Sequence, residues 1–343
     1  MKTGWEMQWS RGNQARRLET CGWLGIFWWA LSALGAVPTS PTGPTSLTSP
    51  TNPTAAPSAE RVRIGTWNLE NYLLHALESR PAKSESAKAK IATVLKDLNA
   101  DILALQELGG VSAAEDIRSR ARRLGLDYPY LEMVRGADTN IQVAVLSRYP
   151  FGASHAHTND TYLLSGRRFR VSRGILEVDV RVQDRYSLTV FTTHLKSRRA
   201  VPEADEAEMR AAEARILRGK VESRMKREPR ANVVVLGDFN DTKDSEAIRT
   251  LIGKGAGRLV DTRPAEANGD SGVSPNPRWQ PRTVTWTHFY GVEDSYSRID
   301  YALLNANAAR EWVPAETRIL VVPDWGLASD HRPLLVVLEA RER

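Results

Sequence analysis

The chain has 343 residues, 41% of them hydrophobic and 26% charged, which excludes disorder throughout and leaves room for one large core or two smaller ones. Its formal charge is +6; residues 1–37, with four basic and two acidic side chains, hold +2 of it, leaving +4 for the remainder. That balance weakly favours an anionic partner without choosing among nucleic acid, lipid and a phosphorylated small molecule.

At the N-terminus Lys2, Arg11, Arg16 and Arg17 precede an uncharged run from Gly22 to Ala36 that contains Trp23, Phe27, Trp28 and Trp29. The run falls short of the ~20 residues a membrane-spanning helix needs and ends on small residues, so residues 1–36 read as a secretory signal peptide, with an uncleaved signal anchor as the alternative. The expected localisation is therefore secreted or periplasmic, or membrane-tethered if the segment stays attached. The single cysteine, Cys21, lies before the apolar run, so the mature chain would have no thiol and its stability would come from the core alone. Residues 37–60 are rich in Pro, Thr and Ser and cannot bury enough surface to fold, which marks a linker. Residues 61–343 show no second stretch of this kind and read as one domain.

Strand and helix patterns then interleave. Val62 to Trp67 reads as a strand and Ala87 to Leu98 as a helix with Ile91, Val94, Leu95 and Leu98 on one face. Asp101 to Leu105 is a buried strand, Ala113 to Leu124 a helix, and Ile141 to Leu146, Arg170 to Val182 and Ser187 to Thr193 are strands. The longest helix, Glu203 to Arg227, has acids at its start and bases at its end, as the helix dipole favours. It has an inward seam of Leu217, Val221 and Met225, and its charge runs read as a solvated face. After the buried strand Asn232 to Asp238 come a short helix at Glu246 to Ile252, a loop rich in Gly, Pro and Asn to Arg282, and strands at Thr283 to Thr287, Ile299 to Leu304, Arg318 to Val322 and Leu334 to Leu338. About ten strands and three or four helices, with hairpin-like spacing, imply an α/β fold of two packed mixed β-sheets flanked by helices.

Several strands end on residues that a packed sheet interior would penalise. Asn68 and Glu70 follow the first strand, Glu107 the second, His194 a middle one, Asp238 and Asn240 the next, and Asp330 and His331 precede the last. Asp300 interrupts an apolar strand between Ile299 and Tyr301. Loops at strand ends are where α/β enzymes collect functional groups. The carboxylates and amides Asn68, Glu70, Glu107, Asp238, Asn240 and Asp330 suit a hard cation such as Mg²⁺, which keeps positions open for water and a phosphate oxygen. His194 and His331 can bind phosphate or move a proton, and Asp300 could orient an imidazole and stabilise its charged form. Together they imply metal-assisted hydrolysis of a phosphate ester.

In order, Trp67-Asn68-Leu69-Glu70, Leu105-Gln106-Glu107, Thr193-His194-Leu195, Gly237-Asp238-Phe239-Asn240, Arg298-Ile299-Asp300-Tyr301 and Ser329-Asp330-His331-Arg332-Pro333 resemble the successive motifs of the endonuclease/exonuclease/phosphatase superfamily, whose deoxyribonuclease I-like fold is a four-layer α/β sandwich. By that resemblance Glu107 is the principal metal ligand, with Asn68, Glu70 and Asp330 near the ion, and the cofactor is Mg²⁺, with Mn²⁺ or Ca²⁺ as substitutes. Asp238 positions or deprotonates the attacking water, Asn240 and His194 bind the scissile phosphate, and His331 with Asp300 acts as base or as electrostatic clamp. Arg173 is a further phosphate-binding candidate.

Within the superfamily, His194-Leu195-Lys196-Ser197 is more similar to the deoxyribonuclease I and bacterial extracellular nuclease branch than to the abasic-site endonucleases. An exported endonuclease on DNA or RNA is the first reading, held mainly by phosphate contacts. Arg167, Arg168, Arg170, Lys196, Arg198 and Arg199 could line its groove. The second reading is a sphingomyelinase-like enzyme on phospholipid headgroups or a phosphatase of inositol phosphates, although the Trp-Cys-Asp-Arg motif of inositol 5-phosphatases is missing. A catalytically inactive binding module would lack Glu107, Asp238 or His331, and all are present. No protein partner is evident, and a monomer is expected.

Overall fold

A computed structural model describes residues 60–265 and 286–341. The expected signal peptide or anchor, nearly all of the linker, and residues 283–285 of the expected strand at Thr283 to Thr287 lie outside the described residues.

Two strand–helix–strand units set the plan. β1 (Glu60–Tyr72) leads through α1 (Glu85–Leu98) to β2 (Ile102–Leu108), which pairs with it in parallel. After α2 (Val111–Arg123) come β3 (Tyr130–Val134), β4 (Gln142–Ser147), β5 (Phe151–His157), a hairpin of β6 (Thr161–Leu164) and β7 (Arg167–Arg170), then β8 (Ile175–Gln183) and β9 (Tyr186–His194). α3 (Glu206–Arg227) carries β9 to β10 (Asn232–Asp238), the second parallel pair. The chain continues through α4 (Glu246–Ile252), β11 (Val260–Asp261), a hairpin of β12 (His288–Tyr290) and β13 (Ser295–Ser297), β14 (Asp300–Leu304), α5 (Ala306–Ala309), β15 (Arg318–Ile319) and β16 (Leu334–Ala340).

The strands form two six-stranded sheets, ordered β15-β16-β1-β2-β4-β3 and β11-β14-β10-β9-β8-β5. Each has a central parallel pair flanked by antiparallel neighbours. The two inner faces pack on each other through Val62, Ile64, Ile102, Val145, Val178, Val190, Val234 and Val336. Outside the first sheet, α1 and α2 bury Ile91, Leu95, Leu98 and Ile117 against Leu103, Leu105 and Leu146. Outside the second, α3 and α4 bury Leu217, Val221, Ile248 and Leu251 against Val233, Val235 and Leu303. The order of layers is therefore helix, sheet, sheet, helix, the expected α/β sandwich. β-branched residues dominate the central strands because both faces of those strands are covered. No helix among the described residues is long and apolar enough to cross a membrane.

Several local expectations need correction. The strand expected from Arg170 to Val182 is broken: β7 ends at Arg170, and Gly174, at φ 75°, turns the chain before β8 begins at Ile175. The strand expected from Arg318 to Val322 stops at Ile319. α3 begins at Glu206, because Asp205 caps it by accepting from the Glu208 amide. Its charged face is not simply solvated: Arg210, Glu213, Arg218 and Arg224 are buried. Each arginine is paired or bonded to backbone carbonyls, for instance Arg218 to Leu251, Ile252 and Gly257, so burial does not leave an uncompensated charge.

Candidate active site

Parallel strands place their C-terminal ends on one edge of a sheet, and an antiparallel neighbour places its N-terminal end there. The C-terminal ends of β1, β2, β9 and β10 and the N-terminal ends of β14 and β16 thus share one rim of the sandwich. In the second sheet His194, Asp238 and Asp300 are in register across β9, β10 and β14. In the first sheet Asn68 is in register with Gln106 across β1 and β2. Ser329 Oγ donates to the Asn68 carbonyl at 2.8 Å and accepts from the His331 amide at 3.0 Å, and the Trp67 indole donates to the His331 carbonyl at 2.9 Å. These bonds fix the segment before β16 onto the end of β1.

The backbone at this rim is held in unusual conformations. Glu70, Asn71, Glu107 and Asn240 all have φ between 48° and 65°, a region that costs a non-glycine residue ~1 kcal/mol or more and persists only where other contacts enforce it. At Gly237 (φ 140°) a Cβ would lie 2.2 Å from the Thr193 carbonyl oxygen. Only glycine lets β10 approach β9 closely enough to present Asp238.

Asn68 joins the two sheets. Its Nδ2 donates to Asp238 at 2.9 Å and to Glu107 at 3.2 Å, while its Oδ1 accepts from the Glu70 amide at 2.9 Å. Glu107 accepts in addition from the Asn71 amide at 2.8 Å. Asp238 accepts from the Asn240 amide at 2.8 Å, and the Asn240 side chain donates to the Leu195 carbonyl at 3.0 Å. His194 Nε2 stands 3.4 Å from Asp238 and 3.9 Å from Glu107. On the other flank His331 Nδ1 is 2.8 Å from Asp300, and its Nε2 is 3.8 Å from both Asp238 and Asp330.

The electrostatics separate the two imidazoles. Burial, reinforced by Arg173, His331 and Arg80, pulls His194 well below its ordinary pKa, so it is neutral. Burial acts in the same direction on His331, but the charge and hydrogen bond of Asp300 overcome it and carry the ring up to about 10, so it is an imidazolium. Asp238 is pushed up to about 7 by burial and then by the negative charge of Asp300, against the opposing pull of His331 and the amide donors. A carboxylate so raised is a stronger base, poised where a general base works best near neutral pH. Burial would also raise Asp330, yet His288 and its other cationic neighbours hold it below the usual carboxylate range.

The sequence-derived site residues Asn68, Glu107, His194, Asp238, Asn240, Asp300, Asp330 and His331 thus converge on one rim. Glu70 lies beside them with its carboxylate turned to Lys83, 3.0 Å away, and half exposed. Arg173 is buried nearby, donating to the Leu195 carbonyl at 3.3 Å. Of the proposed groove residues, Arg198 and Arg199 line a cleft of about 600 Å³ with Asn240, His288, Tyr290 and Asp330. Arg167, Arg168 and Arg170 stand on the exposed β6–β7 hairpin, and Lys196 is buried with its ammonium on the Ser197 and Arg199 carbonyls.

Sequence reasoning missed two members. Thr287 Oγ1 accepts from the amides of Ile299 and Asp300, both at 3.1 Å, and so sets the start of β14. His288 bridges to His331 through the backbone, packs its ring 4.6 Å from that of His331, and brings Nε2 to 3.6 Å from Asp330. Its signal was a lone histidine beside a Gly- and Pro-rich loop, with no periodicity around it.

The donor set fits a divalent cation. Among the described residues His288, Asp330 and His331 offer ligand atoms within 4.8 Å of one another, as do Asp238, Asp300 and His331. His331 would join either group only as a neutral ring, so the carboxylates are the donors its charged form leaves. The expected ligands Asn68, Glu70 and Glu107 lie outside both groups. The hydrogen bonds that Asn68 makes orient the carboxylates rather than present its own oxygen, which is taken by Glu70.

The sequence model of the Endonuclease/Exonuclease/phosphatase family matches residues 65–331. No curated protein matches the chain. Among solved structures, sphingomyelinase C from Streptomyces griseocarneus superposes with a TM-score of 0.55 at 19% identity, over 82% of this chain and 100% of that one. The human Nocturnin catalytic domain with bound sulfate anion gives 0.54 at 17%, over 82% and 97%. D. rerio TDP2 complexed with single strand DNA product gives 0.53 at 18%, over 81% and 98%. At these identities the likeness is one of fold.

Proposed function

The chain belongs to the endonuclease/exonuclease/phosphatase family, whose members hydrolyse phosphoester bonds with a divalent metal, and we propose that it is an exported Mg²⁺-dependent phosphodiesterase acting on DNA or RNA. The observation that carries the reading is one buried cluster at the rim: Asp238 stands 3.8 Å from His331 and 3.4 Å from His194, and His331 is held by Asp300 at 2.8 Å, so a carboxylate of raised pKa faces an imidazolium. A carboxylate that accepts the proton of water, facing a fixed cation that stabilises a developing phosphorane charge, is what hydrolysis of a phosphodiester asks of a site.

Asp238, fixed by Asn68 and the Asn240 amide, takes the proton from the attacking water. His331, kept protonated by Asp300, and neutral His194 lie against the non-bridging oxygens, with Asn240 and Arg173 in support. Glu107, with Asp330 and Glu70 nearby, would hold the metal, which neutralises phosphate charge when bound. Positions for substrate follow the cleft where Arg198 and Arg199 meet Tyr290: two guanidinium groups for phosphates and a ring for a base. Residues 1–36 direct export, residues 37–60 tether, and residues 61–343 form the catalytic domain.

One feature supports a second reading. Tyr290, Val292 and Tyr296 on the β12–β13 hairpin are 43%, 81% and 58% exposed beside the cleft, as an enzyme that works at a lipid surface would require. The deciding experiment incubates the purified protein with plasmid DNA, RNA, sphingomyelin vesicles and bis(p-nitrophenyl) phosphate, in Mg²⁺ or in EDTA. Cleavage of nucleic acid that EDTA abolishes is the expected result. Lipid cleavage with intact DNA and RNA would overturn the substrate, and no cleavage of anything with metal would overturn the enzyme. Asp238→Ala and His331→Ala should each lower turnover by about a hundredfold or more.

A further inference from the structure

Besides Asp300 Oδ1 on the catalytic rim itself, three buried polar atoms next to it have no hydrogen-bond partner: His194 Nδ1, Arg173 Nε and Arg80 Nη1. Such atoms are uncommon in folded proteins and call for an explanation at each site. His194 faces Asp238 and Glu107 through Nε2, so Nδ1 lies on the other side of the ring. The cationic side chains acting on that ring include Arg173 and Arg80.

The two guanidinium groups are gathered by one carboxylate. Asp138 Oδ2 lies 3.4 Å from Arg80 Nη2 and 3.6 Å from Arg173 Nε, so two positive charges share one negative. Asp138 is itself fixed: its amide donates to the Ser172 carbonyl at 2.7 Å and its Oδ1 accepts from the Asn140 amide at 3.0 Å. The loop that carries it presses on Arg173 so closely that a Cβ at Gly136 would fall 2.3 Å from the Arg173 carbonyl carbon. From the other side Glu213, fully buried on α3, accepts from the Ser172 amide and hydroxyl at 2.9 and 2.6 Å and from the Lys196 amide at 2.8 Å. Burying a carboxylate is costly unless several donors compensate it. Here that compensation fixes the backbone at Ser172, next to Arg173, and at Lys196.

Nothing in the hydrolytic step needs Arg80, since one phosphodiester is already met by His194, Asn240 and His331 with Arg173 in support. Arginines with free N–H groups and a net positive charge suit an anion with several acceptor oxygens. Arg80 is 29% exposed at its side chain while its unpartnered Nη1 is buried, so it sits at the solvent edge of the cluster with its free donor turned inward. We propose that Arg80, joined to Arg173 through Asp138, is a specificity residue that binds a second phosphate group of the substrate, flanking the scissile one. The chemical class is an oligonucleotide or another compound with phosphates on neighbouring positions, as against a diester with a single phosphate. The inference rests on the phosphodiesterase reading only for which bond is cut.

The test is therefore a binding measurement in EDTA. Isothermal titration of the protein with thymidylyl-thymidine, its 5′-phosphorylated form and its 3′-phosphorylated form should show one phosphorylated form binding about tenfold or more tightly than the plain dinucleotide. In Arg80→Ala that preference should fall to about threefold or less, with Arg80→Lys in between, because an ammonium keeps the charge but not the fork. No preference in the unaltered protein overturns the proposal, as does a preference that survives Arg80→Ala. Equal weakening of all three ligands would also overturn it, since Arg80 would then act on the site as a whole. Hydrolysis of bis(p-nitrophenyl) phosphate in Mg²⁺, run alongside, reports on the phosphodiesterase reading separately.

Discussion

Replacing Asp300 by asparagine keeps the size of a fully buried side chain and removes only its charge, which isolates what that charge does to His331. The imidazole stands at about 10 rather than 6.5, and at ~1.4 kcal/mol per pH unit its charged form is favoured by ~5 kcal/mol over the unfolded chain. Asp238 and Asp330 share in this, but Asp300 alone is within hydrogen-bond distance, at 2.8 Å. Breaking a buried ion pair from one side costs ~3–5 kcal/mol, so Asp300→Asn should lose ~3 kcal/mol at pH 6. Because the folded pKa lies above the unfolded one, this stabilisation is complete below pH 6.5 and is lost as pH rises through about 10. Urea unfolding of both proteins in EDTA should therefore show a gap of ~3 kcal/mol at pH 6 that closes to ~1 kcal/mol or less above pH 10. Turnover at neutral pH should fall by ~10²–10⁴-fold, as when the acid of a catalytic triad is neutralised. A stability gap constant across this range would refute the assignment of a buried imidazolium.

Gly237→Ala should destabilise by ~2 kcal/mol or more in urea unfolding, or prevent folding, since its Cβ would sit 2.2 Å from the Thr193 oxygen at φ 140°. Glu107→Gln should weaken Mn²⁺ binding at least ~tenfold by isothermal titration. Its unfolding midpoint in EDTA should fall only slightly, since an amide oxygen can still accept from the Asn71 amide and Asn68 Nδ2, which loses Glu107 as acceptor, keeps Asp238. Glu213→Ala should cost ~2–4 kcal/mol in urea unfolding, because the Ser172 and Lys196 amides lose their acceptor inside the protein.

The site was legible in the sequence because polar residues ended apolar runs. Asn68, Glu107, His194 and Asp238 each follow buried β residues, and Asp300, which no sheet interior would choose, proved to face Asp238 in register and to hold His331. Central strands were legible for the same reason. Edge strands were not: β3 and β5 are mostly half-exposed and exposed, so they lack both an apolar run and a clean alternation. The hairpins β6–β7 and β12–β13 are too short for either period to emerge. Glu213 and Arg210 looked like members of a solvated helical face, since sequence gives their spacing on α3 but not the loops that fold over it. Arg80 was likewise invisible, because Asp138, which holds it, is 58 residues away.

The Asn68 to Asp238 hydrogen bond spans 170 residues and joins strands of different sheets. The C-terminal half alone holds Asp238, Asp300, Asp330 and His331, but Asn68, which orients Asp238, and Glu107 come from the other half, so no contiguous half holds the whole proposed site. Catalytic competence acts as a coincidence detector for folding: it can arise only at the moment the sheets dock, and it should vanish with the first separation of the layers, before either sheet loses its own hydrogen bonds. Activity measured against denaturant would then report the docking of the two halves, and a partly folded or nicked chain would be chemically silent rather than a weak or unselective enzyme.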